Sequence, residues 1–274
     1  MHPVFRQIFS LFFGPIFALL ISLVAVSQPA TAASNQFVVI ASNTNNNQVP
    51  AGKTFTGDQK ITLIAGESVT LISQTGKVVN LQGPYSNQIN PKPMAQKNAA
   101  NEQSDSEKSS IKDWPSTLTK ITKLVTKDSN RTAVIGASRM VVPGSEGAAA
   151  IDMANDFWFM NVDSSGHRCV RSKDVFLWRD NPSQTINIDL RSQDAKRTGV
   201  LWKQNTYQMK LPSEFIKDGI LIVMKIDKQP RRFNLHVLPQ WIKEKDLGKV
   251  LLWMVNRNCT RQSQRLINSL QANM

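Results

Sequence analysis

The chain has 274 residues, with 33 Lys and Arg against 20 Asp and Glu, for a formal net charge of +13. That length suits one large or two small domains. The basic residues alternate with acidic ones, a solvated surface rather than a nucleic-acid stripe, and two Cys 90 residues apart with two His beyond the N-terminal segment do not make a tetrahedral metal set.

Met1–Gln7 carries Arg6 and leads into an apolar run from Ile8 to Val26, followed by SQPATAAS. A short positive region, an apolar stretch and the small-x-small triplet Ala30-Thr31-Ala32 make a secretory signal, residues 1–32, with cleavage between Ala32 and Ala33. The alternative is a retained anchor, because the run approaches the roughly 20 residues that a bilayer needs. Gly14-Pro15 interrupts it and no basic stop-transfer cluster follows, which favours cleavage. Either way the rest of the chain lies beyond the membrane. The expected location is periplasmic, with membrane contact only through the N-terminal segment if it stays uncleaved. A basic exported protein meets envelope protein or polysaccharide rather than nucleic acid.

The next block runs from Phe37 to Tyr85. Phe37-Val38-Val39-Ile40 is a short apolar strand, and an Asn-rich loop follows it. Lys60–Ile64, Ser68–Ile72 and Lys77–Leu81 alternate apolar and polar residues, with turns at Ala65-Gly66-Glu67 and Gln74-Thr75-Gly76. That pattern predicts half-buried antiparallel strands. Ile61, Leu63, Val69, Leu71, Val79 and Leu81 are expected on one core, and Gly83-Pro84 closes the block. The run AGKTFTGDQKITLIAGESVTLISQTGKVVNLQGPYS, with its turn glycines and its G-x-x-V-T-L strand, resembles FecR-like domains of bacterial envelope proteins. The resemblance spans residues 33–86. It implies a small rolled β module that binds or senses, with no catalytic residues to transfer.

Residues 87–130 read as a linker, since the stretch to Asp113 has too little apolar surface to offset its ordering entropy. Near its end Leu118, Ile121, Leu124 and Val125 fall at helical spacing, with Ser116 as N-cap. Residues 131–274 make the second domain. Its first part, to Ala150, carries few order signals. Ser145 there lies in Gly-Ser-Glu-Gly, which is not a nucleophile elbow. Phe157–Val162 is expected as a strand, Ser164-Ser165-Gly166 as a turn, and Ile220–Met224 as a central strand buried on both faces. With Cys169-Val170, Val175–Trp178, Ile186–Leu190, Val200–Trp202, Tyr207–Leu211 and Phe233–Val237, about seven strands predict a β-sandwich-like domain. After Pro239 come C-terminal helices. Leu247, Val250, Leu251, Met254 and Val255 form one stripe. A break at Asn256-Arg257-Asn258 follows, then a helix with Leu266, Ile267 and Leu270. The fold class is mainly β.

An even pair of cysteines in an oxidising compartment predicts a disulfide, Cys169 to Cys259, the alternative being two buried thiols that never meet. Gly166, Cys169, Val170, Leu177, Trp178, Arg179 and Cys259 together resemble a group of uncharacterised exported bacterial proteins that also carry the FecR-like block. That resemblance adds architecture and no activity.

His167 reads as a turn residue. His236, on the polar phase of its strand, is expected to face solvent. Neither is directly flanked by an acidic residue or a cysteine, the carboxylates stand singly, and no phosphate-binding glycine loop is present. No catalytic, cofactor or metal residues are therefore assigned, and no cofactor is expected. Trp158, Trp178 and Trp202 are read as core, with a Trp-basic ligand platform as the alternative through Arg179 and Lys203. Trp241 and Trp253 are placed in the helical tail. The expected function is a non-catalytic envelope interaction or scaffold protein. The alternative is a membrane-anchored sensory component of FecR-like type, against which stands the shortness of Met1–Gln7, too little for a cytoplasmic tail.

Overall fold

Phe37-Val38-Val39-Ile40 has no polar phase, and the fold buries it on both sides. It lies in β1 (Gln36–Asn43), paired antiparallel with β2 (Thr54–Thr56) and β4 (Ser68–Ser73); β5 (Val78–Gln82) adds to β4, in the order β2-β1-β4-β5. Neighbouring side chains alternate faces. Phe37 and Val39 join Val69, Leu71 and Leu81 in one core, whereas Val38, Ile40 and Ile72 enter a second core shared with helices. Ile61 and Leu63 reach the first core from β3 (Lys60–Leu63), and Val79 packs against it, as the alternation predicts. Gly83-Pro84 does not end this block. The chain continues into β6 (Tyr85–Gln88), which pairs with β3. Three of its four residues are exposed, so no apolar phase marked it as a strand.

The computed structural model describes residues 35–44, 48–89, 113–129 and 156–272. The apolar run, the Ala32–Ala33 junction, the linker from 90 to 112 and the segment holding Ser145 lie outside the described residues. Among the described residues no helix is long and apolar enough to cross a membrane.

Helix α1 (Trp114–Ser129) starts earlier than the Ser116 cap predicts. Asp113 holds its first turn: the carbonyl accepts from the Thr117 amide (3.1 Å) and the carboxylate from Ser116 Oγ (2.7 Å). Ile121 and Val125 are buried, with Leu118 and Leu124 packed against the same core. That core also takes the buried face of α2 (Leu247–Asn256) and of α3 (Thr260–Ala272). Val250, Leu251 and Met254 are fully buried, and each such side chain contributes about 1.5–3 kcal/mol. Polar contacts fix the seam. Trp114 Nε1 donates to Gln36 Oε1 (2.7 Å), and Thr117 Oγ1 to Asn256 Oδ1 (2.6 Å). Gln271 Nε2 donates to the carbonyl of Ile40 (2.8 Å), the residue that the β1–β4 register skips.

The C-terminal β region holds two sheets over one core. The larger has the order β11-β10-β13-β14-β8, from β8 (Gly166–Val170), β10 (Ile186–Arg191), β11 (Lys196–Trp202), β13 (Leu221–Ile226) and β14 (Gln229–Val237). The smaller has the order β12-β9-β7, from β7 (Met160–Asn161), β9 (Phe176–Trp178) and β12 (Gln208–Lys210). Met160 and Leu177 from one sheet meet Ile188, Met224, Phe233 and Leu235 from the other. The class is thus mainly β and sandwich-like, with helices near the C-terminus. Two pairings are parallel, β14 with β8 and β7 with β9. The turn spacing gave no sign of them.

Several local expectations change. Phe157–Val162 is mostly not a strand, because the Asp156 carboxylate accepts from the Trp158 amide (2.8 Å) and holds a turn. Gly166 starts β8 instead of ending a turn. Central β13 is buried on one face only; Leu221 is 47 % exposed. Trp241 stands 68 % exposed in a turn ahead of α2, while Trp253 is buried in the helical core.

Candidate functional site

The hairpin between β4 and β5 is shaped by Ser73. Its hydroxyl accepts from the Lys77 amide (3.0 Å), and its carbonyl from the Gly76 amide (2.9 Å). Gly76 has φ +81°, open to glycine at little cost. This turn presses backbone to backbone on the first turn of α2. A Cβ on Gly248 would sit 2.0 Å from the Gly76 carbonyl oxygen, and one on Gly76 would sit 2.8 Å from Lys249 Cα. No side chain fits between them.

Beside this contact opens a cleft of about 570 Å³. Val78, Leu247 and Leu270 give it aliphatic walls, and Lys77, Lys245 and Lys249 give it cations against the single carboxylate of Asp246. Its size falls in the range of roughly 300–1,000 Å³ of small-molecule sites. The ion pairs among the described residues are Arg171–Glu244, Arg197–Glu214, Lys210–Asp174 and Lys217–Asp194, so the cleft lysines stay outside them. Sequence reading passed over this site. Its one signal was the repeated Gly-Lys pair, Gly76-Lys77 and Gly248-Lys249, the second putting a poor helix former inside an apolar stripe.

The predicted disulfide is present: Cys169 and Cys259 are bonded, with Cα atoms 5.9 Å apart. The bridge ties β8 to the start of α3. Gln262, one turn on, completes the tie. Its Oε1 accepts from the Cys169 amide (2.8 Å) and its Nε2 donates to the Cys169 carbonyl (2.6 Å). One side chain thereby satisfies both backbone groups of Cys169 on the outer edge of β8, which blocks pairing with another strand at that residue.

His167 and His236 are neither turn nor solvent residues. The parallel β8–β14 pairing stacks their rings 5.2 Å apart, with His167 Nδ1 and His236 Nε2 at 2.9 Å. His236 is half-buried, and its Nδ1 is buried without a hydrogen-bond partner. Burial foremost, then Arg257 and His167, push its pKa below the ordinary histidine value, against an opposing pull from Asp218.

Asp163 and Asp180 are also brought together, though both looked solitary in sequence. Asn161 Nδ2 donates to each (3.0 Å), and the Asp180 amide donates to Asp163 (2.9 Å). Burial, then the Asp163 charge, raises the Asp180 pKa. The hydrogen bonds link the loops after β7 and β9.

Trp158, Trp178 and Trp202 are buried, as core reading predicts, and none forms an open platform. Arg179 stacks 4.9 Å from the Trp202 ring, not on its sequence neighbour Trp178, which is covered by Arg265 at 5.3 Å. Arg179 also donates to the carbonyls of Thr206 (3.1 Å), Gln184 (2.9 Å) and Lys203 (2.7 Å). Arg168 does the same for the carbonyls of Asn161, His167 and Ser164. Burial lowers its pKa to about 10, helped by Arg261 and Arg265.

No protein-family model matches the chain, and no curated protein or solved structure matches it.

Proposed function

We propose that this chain is an exported, non-catalytic binding protein of the bacterial envelope, periplasmic once its N-terminal signal is removed. The observation that carries the binding reading is the composite cleft. One wall is a hairpin of the N-terminal β module and the other comes from the C-terminal helices, so a ligand there senses both at once. Export is supported by the Arg6, apolar-run and Ala32–Ala33 pattern together with the disulfide, which belongs to an oxidising compartment. The non-catalytic reading rests on what the close titratable pairs do. His167–His236 bridges two strands and Asp163–Asp180 two loops, and neither pair lies in the cleft. The FecR-like reading of residues 33–86 rests on the residues quoted for it. The partner is an envelope protein or polysaccharide.

The test is capture of tagged protein from the envelope fraction after mild crosslinking. The reading expects specific envelope material that a tag-only control lacks. Recovery equal to that control would remove its main support.

A further inference from the structure

Resting on that reading, we infer that the cleft between the β4–β5 hairpin and α2 takes a sugar-sized anion, a saccharide bearing a carboxylate or a phosphate, free or as a unit of an envelope polysaccharide. Two features select this class. The cavity, about 570 Å³, exceeds what a bare inorganic anion needs and suits one or two sugar rings. The walls are mixed: Val78, Leu247 and Leu270 can meet the C–H faces of a ring, while Lys77, Lys245 and Lys249 meet an anionic substituent. Ammonium groups are strongly hydrated point charges that pair with carboxylate or phosphate without a fixed fork geometry.

The cations also come from two elements. Lys77 stands on the hairpin, Lys245 and Lys249 on the turn and first helical turn opposite. Like charges across a seam repel, and an anion between them reverses that term. Asp246 is the acidic member of the lining and offsets part of the charge. Glu244, next in sequence to Lys245, is turned to Arg171 (3.2 Å). Because both walls must be docked to form the site, a bound ligand stabilises the fold by mass action.

The experiment is titration calorimetry of the mature protein at low ionic strength with galacturonate, glucose 6-phosphate and oligogalacturonate. Glucose is the neutral control and a short oligoglutamate the acidic-peptide control. A Lys77→Gln, Lys245→Gln variant is compared with a Lys196→Gln, Lys225→Gln variant of equal net charge, whose changes lie on β11 and β13. Thermal melts confirm that each variant is folded. The inference expects saturable binding of an anionic sugar and none of glucose. It further expects a loss of about tenfold in the cleft variant and little change in the other. Binding of the monomers points to a free ligand, and binding of oligogalacturonate alone to a polymer. No saturable sugar binding, equal losses in both variants, or binding of oligoglutamate in place of the sugars would overturn it. If the cleft variant still captures the wild-type envelope partners, the binding reading survives and only the cleft assignment falls.

Discussion

Arg179 shows how a single side chain does work that its sequence context hides. It is 3 % exposed, and its guanidinium holds three carbonyls from two loops while lying on Trp202. Lysine keeps the charge but not the planar fork of donors. Arg179→Lys is therefore expected to lower unfolding free energy by about 1–2 kcal/mol, read from urea unfolding, because part-buried hydrogen bonds from one guanidinium to two loops are lost together. His236 gives a pH signature. Folding holds its pKa below the ordinary value through burial and the neighbouring Arg257 and His167. The unfolded chain takes up that proton near pH 6.5, the folded chain only at lower pH. Between the two, the unfolded state binds more protons, so stability present above that pH is lost as it falls. The melting temperature should decline as pH drops below about 6.5, and His236→Gln should flatten the decline. A slope unchanged in the variant would assign it to other groups.

At the scale of elements, Gly248 is the sharpest test of how α2 meets the hairpin. In an ordinary helix Gly→Ala stabilises by about 1 kcal/mol. Here the new Cβ falls 2.0 Å from a backbone oxygen, which no rotamer relieves. Gly248→Ala should instead destabilise by more than about 2 kcal/mol, measured by denaturant unfolding. A gain in stability would mean the seam is looser than the fold requires. The bridge from β8 to α3 closes a loop with a separation of 90 residues. Replacing both cysteines by Ala should cost on the order of 4 kcal/mol by the same measurement. These elements differ in how far the chain announced them. The stripe Val250, Leu251, Met254 and Val255 and the alternation of Ile61, Leu63, Val69 and Leu71 were legible because periodicity reports burial on one face. The β6 strand was not, since Tyr85–Gln88 buries little. Nor were the parallel pairings, the His167–His236 stack or the cleft. Each depends on which distant strands or turns meet, and local periodicity carries no such information.

The described residues from Asn35 onward belong to one compact unit with three cores. The helical core is the shared one: β1 and β4 supply Val38, Ile40 and Ile72, and Cys169 enters it from the sandwich side. Linked cores of this kind predict that loss of the bridge or of the Gly76–Gly248 contact is felt throughout one cooperative transition and not as melting of a separate module. The proposed function makes the disulfide a consequence of an oxidising destination and the composite cleft the place where a partner is held. The most direct test of that account is the intact mass of the native protein recovered from the periplasmic fraction, under non-reducing conditions and after thiol alkylation. The account predicts a chain beginning at Ala33 with neither cysteine alkylated. A chain found in the cytoplasm, still carrying residues 1–32 and alkylated at Cys169 and Cys259, would contradict it.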